Sequence, residues 1–151
     1  MKKIITTLFS IFLISTTINS QDNFDELWTD VEKFELDNLP KSALRIVDKI
    51  YNKAAKENNS PQLIKSLFYK SKFSLTLEEN AQLNVINQFK EQIAQQTFPT
   101  KNILENILAN LYWQYFTQNR YKFYNRTSTK EKANLEDFRT WDLATIFKEI
   151  L

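Results

Sequence analysis

The sequence predicts an all-α protein: stacked antiparallel helix pairs of a tetratricopeptide-like kind, about six helices after a signal peptide. Three observations carry this. The 151 residues include no Gly, which removes the usual residue for the positive-φ turns of tight β-hairpins. Apolar residues recur at helical spacing over six separate stretches. Between them stand Asn38-Leu39-Pro40, Asn58-Asn59-Ser60-Pro61 and Phe98-Pro99. Asn is the second choice for a left-handed helix cap, and Pro suits the first turn of the next helix.

Met1 to Ser20 has the form of a secretory leader. Lys2 and Lys3 make a positive start, Ile4 to Ile14 a short apolar run, and Ser20 a small residue before Gln21. The run is too short for a membrane span, so no transmembrane helix is expected in the mature chain. The chain has no Cys for lipid attachment. An exported, soluble protein of the periplasm or cell envelope is expected, with residues 21–151 as its helical domain. Removing Lys2 and Lys3 from 20 basic and 18 acidic residues leaves 18 of each.

The first mature helix spans about Asp22 to Asp37, with Phe24, Leu27, Trp28, Val31 and Phe34 on one side and seven acidic residues against Lys33 elsewhere. Acid early in a helix suits the macrodipole. The second helix starts at Pro40 and presents Ala43, Ile46, Val47, Ile50, Tyr51 and Ala54. Asn58-Asn59 stops it, and Ser60 caps a third helix with Leu63, Ile64, Leu67, Phe68, Ser71 and Leu75 inward. From Lys41 to Lys72 eight basic residues face two acidic ones. This positive hairpin is expected beside the acidic first helix, with most of its lysines solvated. A fourth helix carries Leu83, Ile86, Phe89 and Ile93. Thr100 caps a fifth with Ile103, Leu104, Ile107, Leu108, Leu111 and Tyr115, and Asn119 stops it. Tyr121 to Ala133 is expected as loop. Thr140 then caps a sixth helix, Trp141 to Leu151, with Leu143, Phe147 and Ile150 apolar. No tetratricopeptide signature recurs at a period of about 34 residues. The amphipathic pattern runs uncapped to Leu151, where a solenoid would carry a polar cap, and a C-terminally truncated domain is expected.

Composition removes whole classes of chemistry. With no Cys there is no thiolate nucleophile or thiolate metal site, and with no His no imidazole ligand or Ser-His-Asp triad. Phosphate-binding loops need Gly. Glu78-Glu79 and Glu136-Asp137 are sequence neighbours, which point to different sides of a helix and make poor acid/base dyads. Asn58-Asn59-Ser60 and Asn125-Arg126-Thr127 match the glycan acceptor pattern by chance. No enzyme, cofactor or metal site is expected.

The densest feature is Leu111 to Thr127, LYWQYFTQNRYKFYNRT. Seven of the thirteen residues from Tyr112 to Tyr124 are aromatic, interleaved with Arg120, Lys122 and Arg126. A helical aromatic stripe is foremost a core keystone, and as core Trp113→Ala would cost about 3–5 kcal/mol. The other reading is a protein-interaction surface made of Tyr112, Trp113, Arg120, Tyr121, Phe123, Tyr124 and Arg126, anchoring a peptide. Single-stranded nucleic acid also stacks on aromatics along positive grooves, but a neutral, exported chain argues against a nucleic-acid partner.

LPKSALRIVDKIYNKAAKENNSPQLIKSLFYKSKF at Leu39 to Phe73, the aromatic segment, and TWDLATIFKEI near the end together resemble the N-terminal helical region of large exported bacterial alpha-2-macroglobulin-like proteins. That resemblance covers about Trp28 to Leu151. It implies endopeptidase inhibition by trapping, in which a cut bait segment closes the molecule and a thioester captures the protease. This chain has neither the Cys of a thioester nor the strand-rich domains, so no functional residue carries over. The resemblance implies a non-catalytic module whose partners are the remainder of the parent inhibitor and, indirectly, proteases. An exported adaptor binding through Tyr112 to Arg126 is the alternative.

Overall fold

The computed structural model describes residues 24–124 and 136–151. The leader expected at 1–20 lies outside them. The described residues are helical, without a strand. Helix α1 covers 24–36, α2 Pro40–Lys56, α3 Ser60–Leu77, α4 Ala81–Gln95, α5 Thr100–Gln118, α6 Arg120–Tyr124 and α7 Leu143–Ile150, with a 3-10 turn at Phe138–Thr140. The described residues divide into two compact units, one ending at Leu77 and the other beginning at Glu78.

In the first unit, α1, α2 and α3 share a core of Phe24, Trp28, Val31, Ala43, Ile46, Val47, Ile50, Ala54, Leu63 and Phe73. The two links are built alike. Asn38 (φ 56°) and Asn58 (φ 52°) both adopt the left-handed conformation, which Asn tolerates better than most residues. At the first, Leu39 N–H donates to Phe34 O at 2.8 Å and Asn38 N–H to Glu35 O at 3.0 Å. At the second, Asn59 N–H donates to Ala54 O at 2.9 Å and Asn58 N–H to Ala55 O at 3.3 Å. These are paired Schellman closures, which satisfy the last carbonyls of each helix. Pro then opens α2. For α3 the cap is Asn59 rather than Ser60: its Oδ1 accepts from Gln62 N–H at 3.2 Å, and Ser60 is already helical.

The inward face of α3 differs from the expected one. Phe68 and Leu75 are exposed, while Ser66 and Phe73 are buried beside the expected Leu63, Leu67 and Ser71. Both serines donate back into their own helix, Ser66 Oγ to Leu63 O and Ser71 Oγ to Leu67 O. A hydroxyl satisfied inside its helix can be buried cheaply, and its small size lets a neighbour come close. The acidic first helix does meet the basic hairpin, through a Glu35–Lys72 ion pair. Lys70 Nζ also lies 2.7 Å from Asp48 Oδ1, an ion pair without hydrogen-bond geometry.

In the second unit α4 packs on α5, and α5 on α7. Thr100 does not cap α5. It is the buried first residue, and Pro99 before it makes no side-chain cap. Asn119 ends α5, donating from N–H to Tyr115 O and Phe116 O and from Nδ2 to Tyr115 O. Tyr121 to Tyr124, the described start of the loop expected at Tyr121 to Ala133, belong to the short helix α6. Its Phe123 is drawn into the core; burial of one ring overrides the polar composition around it. The last helix starts at Leu143 with Asp142 as cap, its Oδ1 accepting from Thr145 N–H at 2.8 Å, so Thr140 is not its cap. Before it, Asp137 accepts from Arg139 N–H, Nε and Nη2 at 3.1, 2.8 and 2.7 Å. That knot fixes the 3-10 turn between two buried rings, Phe138 and Trp141.

Candidate functional site

Within the second unit the aromatic segment splits by direction. Tyr112 is 0% exposed and Phe123 is buried, so neither belongs to a surface. Their rings join Tyr115, Phe116, Phe138, Trp141, Ile86 and Ile146 in one core. Tyr112 lies 5.5 Å from Phe138 and 5.4 Å from Trp141, centroid to centroid. Tyr115 and Phe138 meet edge-on at 4.7 Å, the geometry that ring quadrupoles favour. Phe138 and Trp141, which the apolar periodicity assigned to no inner face, are central here.

Trp113 is 43% exposed, Tyr121 63% and Tyr124 67%; Arg120 and Lys122 are exposed as well. The keystone reading therefore fails for Trp113 and holds for its neighbour Tyr112. Arg126 lies outside the described residues. The exposed rings are seated rather than loose. Phe116, itself buried, touches Trp113 at 5.6 Å, Tyr124 at 6.4 Å and Phe147 at 5.0 Å. Trp113 also meets Phe147 edge-on at 6.2 Å. One buried ring thus supports two exposed ones, a half-sunk arrangement with little side-chain freedom left to lose on binding.

The Tyr112 hydroxyl is buried without a hydrogen-bond partner among the described residues. Burial, aided by the negative charge of Glu149, pushes its phenol far above the ordinary range. A proton held that firmly does no acid–base work near neutrality.

Elsewhere in this unit an open cleft of about 400 Å³ lies among α4, α5 and α7. Lys90, Lys101, Glu105 and Glu149 line it, over Ile93 and Leu108. Lys101 reaches Glu105 only at 3.9 Å, and Lys90 Nζ sits 5.2 Å from the Trp141 ring. The mixed charges give the cleft no net sign. The sequence reading missed it because its residues come from three separate helices. In the first unit, Lys65 Nζ stands 4.0 Å over Trp28, whose Nε1 donates to Gln62 Oε1 at 2.7 Å; these groups satisfy one another. Among the described residues no group of three or more carboxylates could hold a metal ion, and no helix is long and apolar enough to cross a membrane.

No family model matches this chain, and no curated protein or solved structure matches it either.

Proposed function

We propose that this chain is a non-catalytic helical module that works by contact with protein. The observation that carries it is the exposed face of Trp113, Tyr121 and Tyr124, of which Trp113 and Tyr124 rest on the buried ring of Phe116. Large rings that keep half their area in water while resting on a buried ring are the makings of interface anchors.

For the host of the module we propose an exported alpha-2-macroglobulin-like endopeptidase inhibitor, in which the helices mount the trap and leave bait and thioester to other domains. That assignment rests on the segment resemblance alone. Under it the helix pairs are stacked in tetratricopeptide-like fashion, and the leader sends the protein to the periplasm or envelope. The second reading is a free-standing exported adaptor, favoured by the exposed ring face itself, which needs no parent chain.

Two experiments test these readings. A photo-crosslinking amino acid at position 113 or 124, introduced in the native host, is expected to capture one recurring protein segment, identified by mass spectrometry. Absence of any protein crosslink at both positions would overturn the contact reading. The coding sequence beyond Leu151, with the mass of the native product, tests the host. Continuation into strand-rich domains is expected; a stop codon there would remove the inhibitor and leave the adaptor.

A further inference from the structure

We propose that the outer face of α5 and α6 docks an acidic peptide segment of a partner protein, one with carboxylates set between apolar side chains. This rests on the interaction reading above and names the chemistry of the partner.

Charge selects the occupant. From Asn106 through Tyr124 the chain has no acidic residue, and it carries Arg120 and Lys122. Arg120 and Lys122 stand beside the exposed rings, and none of the described ion pairs engages either. In the first unit, by contrast, Lys53, Lys70 and Lys72 each hold a carboxylate. Lys122 Nζ is 5.9 Å from the Tyr121 ring, a loose contact that leaves its donors available. Arg120 precedes Tyr124 by four positions and Tyr121 precedes it by three, so a guanidinium and two rings share one side of α6. Arg forms planar, two-pronged bonds to carboxylate, while Trp113, Tyr121 and Tyr124 offer apolar area for the residues between. A chain alternating acid and apolar groups uses both features at once.

Other classes of occupant fit less well. Nucleic-acid affinity grows with the number of phosphates neutralised, and the chain without its leader lysines is formally neutral. A membrane surface takes a long amphipathic helix with a lipid-facing side, whereas α6 has five residues and turns Phe123 into the core.

The test uses the full chain and a fluorescein-labelled peptide of alternating glutamate and leucine, with the glutamine–leucine peptide as control. Anisotropy is expected to rise with the glutamate peptide only, and binding to weaken as salt is added. Arg120→Gln combined with Lys122→Gln is expected to bind about tenfold more weakly, with the melting curve of the parent chain. Trp113 is the exposed tryptophan, Trp28 and Trp141 being buried. Peptide addition should therefore shift tryptophan emission, and Trp113→Phe should abolish that shift while anisotropy still reports binding. Equal binding of the glutamine peptide, or undiminished binding by the double variant, would overturn the proposal. So would tighter association with phosphatidylserine vesicles or oligothymidylate, or salt-sensitive self-association that the double variant removes. Crosslinks to protein at 113 or 124 without acidic-peptide binding would sink the acidic assignment alone; no crosslinks and no binding would sink the interaction reading with it.

Discussion

The first unit and the second solve the same problem, closing a small helical core, by different means. Helices α1 to α3 meet over mostly aliphatic side chains such as Ile46, Val47, Ile50 and Leu63, and their links are fixed locally by Asn38 and Asn58. The second unit closes over rings, with Tyr112, Tyr115, Phe116, Phe123, Phe138 and Trp141 in contact. Its α4 and α5 start without side-chain caps, and its last corner is tied by Asp137 and Asp142. In one unit short-range backbone closures set the course of the chain. In the other, a few large side chains from distant positions do.

The largest loss is expected at Trp141. If the ring cluster holds the second unit together, Trp141→Ala costs about 3–5 kcal/mol, read as a lowered denaturant midpoint. Trp113→Ala, on the exposed side of the same cluster, should cost only about 1 kcal/mol. Equal losses from the two substitutions would mean that inner and outer rings are not distinct. Next comes the local closure of the first unit. Asn58→Ala forces a β-carbon without a compensating amide into the left-handed region and should cost about 1–2 kcal/mol, while Asn58→Gly should be tolerated. A harmless Asn58→Ala would show that the turn follows from packing instead.

A smaller effect sharpens the account of the last corner. Asp142→Ala removes the cap of α7 and should cost about 1 kcal/mol. Hydrogen bonds from Thr145, its side chain first and its backbone N–H second, hold the Asp142 carboxyl below the usual range. A depressed folded-state value gives stability that is present above the unfolded carboxylate value. It is lost as pH falls through the folded one. The gap between parent and Asp142→Ala should therefore narrow on acidification below the ordinary Asp range, and a constant gap would contradict the cap's role. The smallest effect is expected at Tyr112→Phe. It removes a buried hydroxyl that has no partner among the described residues, so stability should hold or rise slightly. Because burial raises this phenol, the parent's stability should decline above the usual tyrosine range. Tyr112→Phe should lose that decline, and an unchanged alkaline profile would refute it.

Much of the first unit was legible before any coordinates. The inner residues of the second helix, Ala43, Ile46, Val47, Ile50 and Ala54, follow from spacing, because only one side of that helix is apolar. Asn38 and Asn58 follow from the lack of Gly, since few other residues accept a left-handed turn. Helix α3 was less legible: apolar residues lie on several of its sides, so periodicity pointed correctly to Leu63, Leu67 and Ser71 but also to Phe68 and Leu75, where Ser66 and Phe73 are buried. In the candidate site the segment was found by its ring density, but not the direction of each ring.

What the sequence determined by itself is the helical class, the Asn stops and the place of the aromatic segment. These depend on backbone preference and on contrast between apolar and polar positions, both local properties. Long-range packing turns Tyr112 inward and Trp113 outward, makes residues 120–124 helical and brings Phe138 and Trp141 into the core. In a stretch where most sides carry rings, periodicity has no contrast to work with. The choice falls to whichever ring meets partners from far along the chain, and local sequence carries no record of where those partners stand.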